Sequence, residues 1–120
     1  MNAGLIYLTH GIVKVAAAPS RQLITTAVEV TPYTDLTLLM EAVRLAGGGG
    51  PTFEIVVLTG MQLESEDGWV ELGTWGSKSA EGDFLLQLAH PLRYIRWEVK
   101  QLTGTTPEIT FTISGVARNS

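Results

Sequence analysis

Apolar and polar residues alternate with a period of two over most of this chain. Ile109, Phe111 and Ile113 alternate with Thr110, Thr112 and Ser114, and Ile95, Trp97 and Val99 alternate with Arg96, Glu98 and Lys100. That is the mark of strands with one buried face and one wet face. Between the two runs, Thr103-Gly104-Thr105-Thr106-Pro107 supplies a glycine for a left-handed turn position and a proline where no ladder donor is needed. The stretch from Leu92 to Ser114 therefore predicts a long β-hairpin. It has an echo 56 positions upstream: with Leu36 to Val57 laid on Leu92 to Ile113, Leu39 falls on Ile95, Val43 on Val99, Gly48 on Gly104 and Pro51 on Pro107. Phe53, Ile55 and Val57 then match Ile109, Phe111 and Ile113, while Glu41 against Trp97 is a mismatch. Duplication of one hairpin and chance agreement between two simple hairpins explain the echo equally well.

The remaining segments fill in an all-β outline. Gln22 to Val30 alternates in part, with Ile24, Thr26, Val28 and Val30 on the more apolar side, and predicts a strand. Asp35 to Leu45 is rich in helix formers, and Leu36, Leu39, Met40 and Val43 would make a helical stripe. The echo and the β character of both flanks decide for a strand. Gly47 to Gly50 predicts a hairpin tip; no Lys-Ser/Thr follows and the next element is a strand, so the two features of a phosphate-binding loop are missing. Thr52 to Thr59, Trp69 to Trp75 and Phe84 to Leu88 predict short strands, separated by an acidic loop at Gln62 to Gly68 and a Gly/Ser-rich connection at Gly76 to Asp83. Seven or eight strands with turn signals at sheet-like spacing describe an antiparallel β-sandwich or barrel. The expectation adopted is a jelly-roll-like sandwich over residues 21–120, preceded by an N-terminal arm or edge strand over 1–20, with a polar tail from Ala117.

Composition sharpens this outline. A chain of 120 residues is one domain by the usual prior and buries about two thirds of its unfolded surface. Without cysteine there is no disulfide framework, thiol nucleophile or thiolate metal site. The net charge of −4 speaks against a nucleic-acid partner, which would call for a basic excess. Charged residues make up only 17% of the chain against 45% apolar, lean for a soluble monomer, so a partner is expected to cover part of the surface. The N-terminal stretch is the candidate: Leu5, Ile6, Tyr7, Leu8, Ile12 and Val13 are too apolar for a free terminus. Thr9, His10 and Lys14 interrupt the run, and no basic residue precedes it, so neither a secretory leader nor a membrane span is expected. Such an arm would either lie on a neighbouring subunit or pair with its own sheet, and is expected to matter more for docking than for folding.

Candidate chemistry is thin. Glu64, Glu66, Asp67 and Glu71 do not follow the calcium-loop spacing and predict a solvated acidic loop. Two carboxylates could act as glycosidase acid and base, but only their separation in space decides that. His10 precedes a glycine and His90 a proline, and both suit turns. Arg93, Arg96 and Lys100 make a modest basic patch with Arg93 on the opposite face from the other two; a solvated face is the plain expectation and an electrostatic contact to an acidic neighbour is the alternative. Trp69 and Trp75 flank a polar stretch; core burial is the common fate of tryptophan in such folds, and a platform for sugar rings is the alternative. No nucleophile, base and orienting group assemble from these residues, so no enzyme, metal or cofactor is expected.

One resemblance adds a function. The succession PYTDLTLLMEAVRL, GGGGPTFEIVVLTG, SEDGWVELGTWGS and HPLRYIRWEVKQLTGTTPEITFTISG resembles small β-sandwich virion proteins of tailed bacteriophages. The resemblance is carried by Tyr33-Thr34-Asp35-Leu36 opening a strand, by Asp67-Gly68-Trp69 running on to Gly73, and by the closing unit from Tyr94 to Ile113. It spans roughly Pro32 to Gly115, and the usual spacing from Asp-Gly to Trp is tightened here because Trp69 directly follows Gly68. It implies a head decoration or cement protein on the capsid surface, with a tail or fibre component as a variant. Its implied partners are the major capsid protein and further copies of itself, a trimer first, with no nucleic acid and no membrane. A carbohydrate-binding β-sandwich module is the competing expectation.

Overall fold

In a computed structural model, which describes residues 3–119, the chain is a single all-β domain whose strands pair antiparallel. Two strands dominate it. One, here β5, runs over Asp35–Gly60, and the other, β8, over Tyr94–Arg118. They pair along their whole length, from Asp35 opposite Arg118 to Gly60 opposite Tyr94. Neither of the two predicted hairpins forms. The two echoing stretches instead lie across from each other, and their turn-like centres meet at a shared waist, with Gly48 opposite Thr105 and Thr52 opposite Thr103.

The waist is where both strands bend. Twenty-five residues of straight strand would extend for roughly 80 Å, whereas the longest dimension of the molecule is 45 Å. Trp97 and Phe111 lie fourteen positions apart on β8, yet their rings meet edge to face with centroids at 5.2 Å. The sheet is thus folded over on itself, and the inner faces of its two halves share one core. The glycines of the waist make the bend accessible. Gly47 and Gly104 sit at φ of 127° and 125°, and a side chain on either would meet the opposite strand within 3.0 Å. Successive register shifts around Ala46, Gly48 and Thr52 mark the irregularity.

Each half adds its own outer strands. The first half contains the start of β5 and the end of β8, with β7 (Gly82–Ala89) beside β5 and β1 (Ala3–Tyr7) beside β8. Short β2 (Val13–Val15) continues along β8 towards the waist. In the second half, β6 (Val70–Lys78) pairs with the end of β5, and the two-residue strands β3 (Ser20–Arg21) and β4 (Val28–Glu29) pair with the start of β8. A 3-10 turn at Ile24–Thr26 interrupts the strand expected from Gln22 to Val30. The interruption is held by Gln22, whose buried amide donates to the carbonyls of Leu8 and Thr26 and whose Oε1 accepts from the Trp97 amide.

The alternation read from the sequence is realised in the core. Phe53, Ile55, Val57, Ile95, Trp97, Val99, Ile109, Phe111 and Ile113 are all buried in one cluster with Leu36, Leu38, Met40 and Ala42. Asp35 to Leu45 is strand, as expected, but its phase differs from the echo: Leu39 and Val43 point outward while their matches Ile95 and Val99 are buried. The parity of β5 changes between Ala42 and Phe53, across the glycine run.

The expected arm is an edge. Apart from residues 1–2, which lie outside the described residues as does Ser120, the segment 1–20 pairs with its own sheet. Ile6, Leu8 and Val15 are buried in the common core, and the Thr9 hydroxyl accepts from the Ile113 amide at 2.9 Å.

Candidate functional site

The two halves of the sheet differ on their outer faces. On the second half, Val56, Leu58 and Trp69 form a separate apolar cluster that the chain itself covers, with Ile24, Ala27, Leu63 and Tyr94 packed around it. The acidic loop is drawn onto this face by Arg96, whose side chain is only 2% exposed. Arg96 donates from Nε to the Gln22 carbonyl at 3.0 Å and from Nη1 to Glu66 at 2.8 Å, and its guanidinium lies 5.0 Å from the Trp69 ring. Hydrogen bonding from Arg96 holds the Glu66 carboxyl below its usual range, with Arg21 adding to the effect. Arg21 also bonds Glu98, which raises the arginine's own pKa. The solvated basic face expected at Arg96 and Lys100 is therefore corrected for Arg96, which is buried because a complementary acidic loop lies over it. Lys100 stays exposed and pairs with Glu71 at 3.2 Å, and Arg93 pairs with Glu29 at 3.2 Å.

Among the described residues no such cover lies over the first half. Its outer face is a band that crosses four strands: Leu5 and Tyr7 on β1, Val116 on β8, Leu39 on β5 and Leu85 on β7, lining a groove of 290 Å³. Register puts Leu5 beside Val116, and Tyr7 in the row of Ser114, Leu39 and Leu85. Leu5, Tyr7 and Leu85 are 73%, 61% and 71% exposed. At the waist end the band is bounded by Glu41 and Asp83, which are paired in register, and at the other end by Asp35 and Arg118. This is a shallow, mainly apolar groove, with Thr37 and Ser114 among its lining and charged residues at its margins, the anatomy of a docking patch.

The interface residues expected from the sequence divide accordingly. Leu5, Tyr7 and Ile12 are exposed, while Ile6 and Leu8 are buried in the chain's own core and Val13 is half-buried against it. Alternation along β1 makes the division, since successive side chains of a strand point to opposite faces. Sequence reasoning missed Leu39 and Leu85, because register across strands is invisible along the chain, and Val116, because the closing strand runs on to Arg118 past its expected end at Ser114.

The sugar platform does not form. Trp69 and Trp75 are 8% and 6% exposed, and their indole N–H groups donate to the carbonyls of Ser65 at 3.1 Å and Phe84 at 3.0 Å. A stacking platform needs an open ring face, and both rings are covered by this chain. His10 is exposed, within 3.4 Å of the Thr26 carbonyl, and His90 is an exposed turn residue at φ 57°. Among the described residues no group of three or more His, Cys, Asp or Glu side chains is placed to hold a metal ion. No family model matches the chain, and no curated protein or solved structure is similar to it at a significant level.

Proposed function

We propose that this chain is a non-enzymatic structural protein of a phage virion, a decoration or cement protein that docks on the capsid surface through the outer face of its first half-sheet. The observation that carries the proposal is the uncovered apolar band of Leu5, Tyr7, Leu39, Leu85 and Val116, next to a second half-sheet whose equivalent face is covered from within the chain. The resemblance to small phage virion proteins, which spans both β5 and β8, supplies the class of partner. Lattice binding suits such a face: each copy adds apolar contact to the assembled shell, and repetition over the lattice multiplies weak contacts into tight attachment. The charged margins at Glu41, Asp83 and Arg118 would fix orientation more than affinity.

The test is co-sedimentation with emptied heads of the phage that encodes the chain. Full-length protein is expected to pellet with heads, and Leu39→Asp together with Leu85→Asp to abolish pelleting while leaving the circular-dichroism spectrum unchanged, because both side chains lie on the outer face. Equal pelleting of the double variant would remove this face from the mechanism. Failure of the wild-type protein to bind heads would overturn the capsid assignment itself.

A further inference from the structure

We propose that β1 is the dimer edge of this protein, pairing antiparallel across a two-fold axis with β1 of a second copy so that Leu5 stands opposite the partner's Leu5. The hydrogen-bond phase of the strand points to it. The Leu8 amide donates to the Ile113 carbonyl at 3.0 Å, and the register continues through Ile6 opposite Gly115 and Gly4 opposite Ala117. In an antiparallel ladder, backbone groups alternate between the two sides of a strand. Gly4, Ile6 and Leu8 therefore spend theirs on β8, and Ala3, Leu5 and Tyr7 present N–H and C=O groups to the open side. Among the described residues, β8 is the only strand that pairs with β1.

This edge lacks every device that keeps an edge strand single. Ala3-Gly4-Leu5-Ile6-Tyr7 contains no lysine, no proline and no charge, and among the described residues no second strand pairs with it. An antiparallel edge is self-complementary about a dyad, so a second copy of the same strand is the occupant that the geometry fits without any further surface. Pairing Leu5 with the partner's Leu5 places Ala3 opposite the partner's Tyr7. The central row across the dyad is then Val116, Leu5, the partner's Leu5 and the partner's Val116, wholly apolar. On either side of it, exposed Arg118, which is paired with Ala3, shares a row with the partner's Tyr7, a guanidinium beside an aromatic ring. The two half-sheets become one eight-stranded outer face, and the apolar bands of the two copies meet at the dyad through Leu5 and Val116. A three-fold assembly, the first expectation from the sequence, would need this edge to meet a different surface, and an isologous strand pair closes at two.

The pairing stands on β1 alone and needs no capsid. Sedimentation equilibrium of the full chain is expected to give twice the 12.9 kDa of one copy. Leu5→Pro deletes an outward N–H that β8 does not use, and Tyr7→Lys puts a charge on the edge; both are expected to give folded monomers with an unchanged circular-dichroism spectrum. Hydrogen exchange on the wild-type protein provides the reading that needs no variant. The Leu5 and Tyr7 amides should slow about tenfold or more as concentration is raised through the dimerisation range, while the Ile6 amide is protected throughout. A wild-type monomer at high concentration, a trimer, or a dimer whose Leu5 amide exchanges freely would each overturn the proposal. A dimer that ignores phage heads would sink the capsid assignment and leave this pairing standing.

Discussion

Trp97 stands where the two halves of the sheet meet in the shared core. Its ring meets Phe111 edge to face at 5.2 Å, and its backbone amide is taken by the buried Gln22 side chain, so one residue anchors the fold-over and the interrupted strand beside it. Trp97→Ala is expected to lower stability by about 3–5 kcal/mol, since it leaves a cavity at the seam of the two layers; urea unfolding followed by fluorescence of the remaining tryptophans measures it. At this scale much was legible. Alternation alone identified the inward residues of β8, and tryptophan burial was the expected outcome on general grounds. The burial of Arg96 was not legible, although contact with an acidic neighbour was the alternative expected of its basic patch. Arg96 occupies an outward position in a clean alternation, and nothing local separates an arginine in solvent from one lying under a loop thirty residues earlier in the chain. The available signal was the acidic run itself, read as a partner for that arginine instead of as a solvated loop.

Elements carry the main difference between the pattern and the fold. A glycine run followed by proline is turn chemistry, and it serves equally well where a long strand bends and slips register, because both need left-handed backbone and a missing ladder donor. Only pairing partners distinguish the two, and they lie some sixty residues apart. Gly104→Ala tests the waist: at φ 125°, with a new Cβ about 3.0 Å from the Gly48 carbonyl oxygen, it should lower stability by more than about 1 kcal/mol and depress the melting temperature. The acidic loop supplies a second test at the same scale. The Glu66 carboxyl is held below its ordinary value of 4.5 in the folded state, chiefly by hydrogen bonding from Arg96. A depressed carboxyl contributes stability that is fully present above the unfolded-state pKa and is lost as pH falls through the lower folded value. Protection of the amides across residues 61–69, taken relative to their intrinsic exchange rates, should therefore fall below about pH 4.5 while β5 and β8 remain protected. Glu66→Gln should make the loop exchange quickly already at neutral pH and remove most of its acid dependence. A loop indifferent to both would show that Arg96 does not hold it.

For the whole molecule, the deciding question is whether the N-terminal segment is an attachment or part of the body. Its apolar content was visible in the sequence, and a docking arm was the natural expectation, because a run of Leu, Ile and Val at a terminus looks expendable when the later strands already suggest a closed core. Pairing reverses this. Ile6, Leu8 and Val15 lie in the shared core, β1 to β3 line the open edge of β8, and Thr9 satisfies the Ile113 amide. Deleting residues 1–20 exposes the faces against which three large side chains pack, each worth about 1.5–3 kcal/mol, and the sum is a large share of the 5–15 kcal/mol by which a domain is usually stable. It also bares most of the long edge of β8, because only β4 and Arg21 remain beside its first residues and Ile109 to Arg118 lose their partners on that side. The fragment 21–120 is expected to be unfolded or aggregated at neutral pH, whereas the full chain carrying Ile12→Asp, which changes an exposed side chain of the same segment outside β1, should keep its melting temperature within about 2 °C. Far-UV circular dichroism with thermal melts on both proteins decides it. A fragment that melts cooperatively at the wild-type temperature would restore the detachable arm, and would also mean that the N-terminal strands contribute little to the core in which they are buried.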